Sequence, residues 1–192
     1  MTDNIYLLFK QIFRPTDKTA DVFTVSRKFR EDMKNFFAPN KYCFLEVGCY
    51  RGLTAKALAN HFIEYLGLDI SRKSLLIARM ANLFNRGARF RRFDLYNSDW
   101  STLKFPADIV FIDANHTYEC VRQDIKNCIK VYKDAFVVFD DYGAWEGVHR
   151  AVSEAINDHR LEILREIGEK KGELSSIRPN NLGPEGLICR VV

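Results

Sequence analysis

The sequence has no paired-cysteine pattern. Its five cysteines, at 43, 49, 120, 128 and 189, are odd in number and none forms a C-x-x-C pair. Neither a disulfide framework nor a zinc site is expected, and reduced, mostly buried thiols fit a cytoplasmic protein. No apolar run approaches the roughly 20 residues that a membrane span needs. The stretch from Met1 to Phe9 carries no basic n-region and no small-residue cleavage site, so no signal peptide is expected. Repeats, low-complexity tracts and linkers are also missing, and 192 residues suit one domain with a proper core. No large excess of one charge is present, since the net charge is +4. The densest basic stretch runs from Arg86 to Arg92. It reads either as a polyanion contact or as a solvated turn with arginine stems along the surface. The dispersion of the other basic residues favours the turn, so nucleic acid is not the expected partner.

What the sequence does have is alternation. Residues 1–39 read as an N-terminal helical arm, in which 21–37 place Val22, Val25, Phe29, Met33, Phe36 and Phe37 at helical spacing. Ala38-Pro39-Asn40 ends that helix. Residues 40–192 read as a core of strands at 42–47, 64–68, 88–93, 108–112, 135–139, 161–167 and 186–191. Helices are expected at 53–62, 71–84, 118–132 and 147–158. This pattern predicts an α/β, Rossmann-like three-layer sandwich with a mostly parallel seven-stranded sheet. The last two strands lack a helix between them and are expected to form an antiparallel hairpin at one edge.

Two of the apolar runs end in carboxylates. Ala107 to Ile112 leads into Asp113, with His116 three residues on, and Ala135 to Phe139 leads into Asp140 and Asp141. Runs of this kind are strands buried on both faces, and open α/β sheets bind ligands at the carboxyl ends of their strands. Three carboxylates meeting there repel one another unless a cation joins them, which suggests a divalent metal beside a cofactor crevice. The alternative for Asp140 and Asp141 is capping of the next helix, and for His116 an ordinary loop histidine. An alcohol bound to a divalent cation loses its proton far more easily, and a nearby histidine can accept it near neutral pH.

The first strand and turn read Phe44-Leu45-Glu46-Val47-Gly48-Cys49-Tyr50-Arg51-Gly52, an E-x-G-x-x-x-G pattern. Gly48 allows a sharp turn and close approach of a ligand. A pyrophosphate fingerprint would want glycine where Tyr50 stands, so a ligand without a pyrophosphate fits better. Asp69 ends the second strand, where an acid accepts ribose hydroxyls in nucleotide-binding sheets; the alternative is a helix cap. Asp94 ends the third strand, within reach of an adenine amino group or as a simple turn residue. Tyr118, Tyr142 and Trp145 flank the same mouth, either as an apolar wall for a sugar ring or as packing.

Together Glu46-x-Gly48-x-Tyr50-Arg51-Gly52, Phe111-Ile112-Asp113-Ala114-Asn115-His116-Thr117-Tyr118 and Val138-Phe139-Asp140-Asp141-Tyr142 resemble the class I S-adenosyl-L-methionine-dependent methyltransferases. The resemblance spans roughly residues 40–192. Within that class the sequence is similar to the metal-dependent sugar O-methyltransferases of the mycinamicin and macrocin type. These carry D-x-x-H after the fourth strand and an acidic pair after the fifth, whereas catechol-type enzymes have Asp-Asn there. The resemblance implies that Asp113, Asp140 and Asp141 hold Mg²⁺ (or Mn²⁺) and that His116 is the base beside Asp113. It implies a cofactor seat at Glu46, Gly48, Tyr50, Gly52, Asp69, Asp94 and Asp113. The macrolide enzymes have an extra N-terminal domain that helps build the substrate pocket, whereas about 40 residues precede the first strand here. The expected acceptor is a hydroxyl of a sugar, glycan or small polyol, with a homodimer left open. An RNA methyltransferase and a non-catalytic nucleotide-binding module are the alternatives.

Overall fold

The computed structural model describes residues 25–172 and 180–192. The expected arm at 1–19 and the first turn of the expected helix, with Val22, lie outside these residues. Five helices are described: α1 (Arg27–Phe37), α2 (Leu53–Ala57), α3 (Arg72–Ala81), α4 (Tyr118–Val131) and α5 (Glu146–Asn157). They alternate with strands β1 (Tyr42–Val47), β2 (Phe62–Asp69), β3 (Ala88–Arg92), β4 (Ile109–Ile112), β5 (Phe136–Phe139), β6 (Leu161–Ile167) and β7 (Gly186–Val191). The sheet order is β3-β2-β1-β4-β5-β7-β6. Strands β1 to β5 are parallel, and β7 runs antiparallel to both β5 and β6. The expected Rossmann-like sheet and its C-terminal hairpin are therefore present.

Strand alternation sends side chains to two cores. Phe44, Tyr65, Phe90, Phe111, Val138 and Ile188 face α1, α2 and α3. Leu45, Leu68, Val110, Ile112, Val137 and Leu187 face α4 and α5. The first face is aromatic: Phe44 stacks on Tyr65 with centroids 5.6 Å apart, and Phe29 of α1 reaches Phe111 at 5.8 Å. Each such fully buried side chain contributes about 1.5–3 kcal/mol relative to exposure. The starts of α1 and α3 are capped by serine side chains. Ser26 accepts from the Phe29 N–H at 3.0 Å and Ser71 from the Ser74 N–H at 3.2 Å.

Two helices are shorter than their patterns, and the one expected at 71–84 ends at Ala81. The helix expected at 53–62 ends at Ala57, and β2 starts at Phe62 rather than Glu64. Phe62 pairs with Tyr42 and packs on Tyr65 at 5.3 Å, so the apolar residue that extends the helical pattern is claimed by the sheet. The five cysteines are all free thiols, and burial pushes the thiols of Cys49, Cys128 and Cys189 up. Among the described residues no helix is long and apolar enough to cross a membrane.

Candidate active site

The strand order reverses between β1 and β4, which places a crevice at their carboxyl ends. Gly48 and Asp113 leave the sheet side by side there. Gly48 has φ +94°, and a Cβ on it would stand 2.2 Å from the Asp113 carbonyl oxygen. Only glycine allows this turn to lie so close to the loop after β4. Tyr50 also has positive φ, at 42°, the position where a pyrophosphate motif uses glycine. Its N–H donates to Asp69 Oδ2 at 3.0 Å, and the Ser71 N–H donates to Oδ1 at 2.7 Å. Asp69 thus ties the end of β2 to the turn after β1. The side-chain cap of α3 is Ser71, so Asp69 is not that helix's cap.

Glu46 lies buried beneath the turn, 2 % exposed. Burial holds its carboxyl well above the usual carboxylate range; the nearby Asp113 charge adds to this and a hydrogen bond from Thr54 opposes it. Thr54 carries no motif and sequence reasoning passed it over. Gly52, φ +69°, starts α2 in contact range of Ala78, Asn82 and Phe90. Asp94 folds back on its own loop. Its oxygens accept from the Tyr96 N–H at 3.2 Å, the Asn97 N–H at 3.1 Å and Asn97 Nδ2 at 3.0 Å. The Asn97 side chain, then the backbone bonds, hold its carboxyl below the usual range. This is the turn-residue geometry.

The acidic residues at the next two strand ends do not all converge. Asp113, His116 and Asp141 each offer a ligand atom, and these atoms lie within 4.8 Å of one another. His116 Nε2 stands 3.7 Å from Asp113 Oδ1 and 3.4 Å from Asp141 Oδ2. Asp140, the expected third carboxylate, is not in this cluster; it is buried, and its Oδ1 accepts the Asp141 N–H at 2.7 Å. Asp141 has φ 59°, a left-handed conformation uncommon outside glycine and found at functional sites.

The loop of His116 is seated by α5. A Cβ on Gly147 would stand 2.3 Å from the His116 carbonyl oxygen, so a glycine in the first turn of α5 permits the approach. Sequence reasoning missed Gly147, although a glycine inside a helix is itself a signal of close packing. Trp145 lies against the His116 ring at 5.2 Å between centroids and is 41 % exposed. Tyr142 instead packs on His149 at 4.4 Å and meets Ser153 Oγ at 3.1 Å. The Tyr118 hydroxyl donates to Glu154, with Arg150 over its ring at 4.1 Å, so Tyr118 bridges α4 to α5. Of the three aromatic residues named from sequence, Trp145 alone is in ring contact with the acidic cluster.

Residues 45–142 match a family described as a methyltransferase domain. The chain belongs to this family. Its fold is that of the class I S-adenosylmethionine-dependent methyltransferases. An SAH-bound methyltransferase of Podospora anserina is 16 % identical, with TM-score 0.68, covering 100 % of this chain and 95 % of that one. The O-methyltransferase of Bacillus cereus in complex with SAH is 17 % identical, with TM-score 0.66 and coverage of 100 % and 89 %. A Bacillus subtilis m1A22 tRNA methyltransferase is 14 % identical, with TM-score 0.61 and coverage of 88 % and 68 %. Comparison with curated protein sequences gives no match.

Proposed function

We propose that the protein is an S-adenosylmethionine-dependent, divalent-metal-dependent O-methyltransferase acting on a hydroxyl of a sugar, glycan or small polyol. The observation that carries this reading is the convergence of Asp113, His116 and Asp141 within 4.8 Å, beside the Gly48 turn. Two converging carboxylates suit a divalent cation such as Mg²⁺ or Mn²⁺, and the imidazole beside them is left to act as a base. Asp113 and Asp141 would hold it, with Asp140 behind them fixing the Asp141 backbone. Such a cation lowers the pKa of a bound hydroxyl by several units, and the cofactor supplies an electrophilic methyl group.

The chain's own residues do the rest. His116 accepts the hydroxyl proton, and the two carboxylates facing Nε2 favour the imidazolium that results. Trp145, partly exposed against the His116 ring, offers a flat apolar wall to a sugar ring. Asp69 presents its remaining lone pairs to the ribose hydroxyls while its backbone bonds hold it in place. Glu46, Gly48, Tyr50 and Gly52 shape the cofactor seat. Tyr118 and Tyr142 are engaged by α5 through Glu154, His149 and Ser153.

The deciding experiment is transfer of labelled methyl to a panel of sugars and polyols, with and without EDTA. Activity is expected to vanish in chelator and return with Mg²⁺ or Mn²⁺. Full activity in EDTA removes the metal from the proposal. Cofactor binding without transfer to any hydroxyl removes the O-methyltransferase reading.

A further inference from the structure

The outer face of α3 carries an apolar stripe left in solvent. Leu76 is 58 % exposed, Met80 47 %, Leu83 73 % and Phe84 93 %. Positions 76 and 80 share one face of α3, and Leu83 and Phe84 follow past its end at Ala81, in the turn before β3. The helix has already spent another face on the core, where Ser74, Leu75, Ile77 and Ala78 are buried. A contiguous patch of this kind marks an interaction surface, unlike apolar residues scattered singly.

The segment that carries the stripe is charged with one sign. From Ile70 to Phe93 the sequence holds seven basic residues and no acidic one. At 100° per residue, Arg72 and Arg79 border the stripe on one side and Lys73 on the other. Arg89 is paired with Glu64 at 2.5 Å, and the rest of the rim stays positive.

We infer that this face docks on an anionic membrane surface. The apolar stripe enters the boundary of the acyl chains and the basic rim meets the lipid phosphates. A second copy is a poorer occupant, because a two-fold contact would set positive rim against positive rim. Nucleic acid is poorer too: among the stripe residues only Phe84 offers a ring for a base to stack on. None of these residues belongs to the cofactor or acidic clusters, so the inference stands apart from the proposed reaction.

The test uses the full chain, sedimented with vesicles of phosphatidylcholine alone and of phosphatidylcholine with phosphatidylserine. Binding is expected to the anionic vesicles and to weaken as salt is raised. Leu83→Asp/Phe84→Asp is expected to lower it by at least about tenfold without changing cofactor affinity or melting temperature, since both side chains lie in solvent. Arg72→Glu/Lys73→Glu is expected to lower it as well. Absence of binding to either vesicle overturns the inference. A concentration-dependent dimer broken by Leu83→Asp/Phe84→Asp, without vesicle binding, gives the face to a second copy. Salt-sensitive RNA binding without vesicle binding gives it to nucleic acid.

Discussion

His116 Nε2 lies 3.4 Å from Asp141 Oδ2, across the gap between the loops that follow β4 and β5. The two loops meet because those strands are neighbours, with Ile112 paired to Phe139. One ring nitrogen cannot both bind a cation and take a proton, so the two roles give different outcomes on mutation.

In its proposed role of proton acceptor, His116 is dispensable for binding. His116→Ala is expected to lower kcat by about 10²-fold or more while leaving cofactor and Mn²⁺ affinity close to wild type. Turnover kinetics and calorimetry with Mn²⁺ check this. Loss of Mn²⁺ binding would make the imidazole a ligand, and an unchanged kcat would end its role altogether.

Asp140 and Asp141 are expected to behave unequally. Asp141→Asn should weaken Mn²⁺ binding by at least about tenfold, because it removes a charge from the cluster while asparagine tolerates the left-handed backbone. Asp140→Asn should cost less, since that side chain already serves the Asp141 N–H. Equal losses in the two variants would give Asp140 an equal share in the site.

Gly48→Ala tests the coupling of the two halves. A Cβ at 2.2 Å from the Asp113 carbonyl oxygen, at φ +94°, forces one of the two loops to move. Destabilisation of about 1–3 kcal/mol is expected, together with weaker cofactor binding. Thermal melts and cofactor titration read both, and a variant as stable and as tightly bound as the wild type contradicts the contact.

The strand-helix alternation and the paired runs ending at Asp113 and Asp141 were legible in the sequence because periodicity and strand-end charge are local signals. The limit of α2 was not, because Phe62 fits a helical repeat and a strand equally until Tyr42 and Tyr65 are known to be beside it. Strand-end position and the acidic pair of the resembling family put Asp140 with Asp113 and Asp141, but neighbours at a strand end point to different sides, and the turn brings Asp141 to His116. Asp124 was passed over although it lies on the buried face of α4 with Val121, Ile125 and Cys128. An acid at an apolar-face position was the signal available.

That acid should make stability depend on pH. Neither Asp124 oxygen makes a hydrogen bond, and burial drives its pKa up to about 8. The native pKa exceeds the unfolded one, so the protonated form favours the fold. Its contribution is complete below about pH 4 and is lost as pH climbs towards the native value. Glu46, also raised, acts in the same direction. Asp124→Asn keeps the shape without the charge and is expected to raise stability by about 1–3 kcal/mol at alkaline pH, with little gain near pH 4. Melting curves across this range check it, and a wild-type slope in the variant would refute it.

The place of β7 bears on how the site comes into being during synthesis. The last strand is slotted between β5 and β6, and Gly186 abuts the Phe139 carbonyl oxygen just before the acidic turn. A nascent chain that has emerged only as far as α5 still has one flank of β5 bare. The turn that presents Asp141 can therefore be braced only once residues 186–191 have left the ribosome, well after the Gly48 turn has been synthesised.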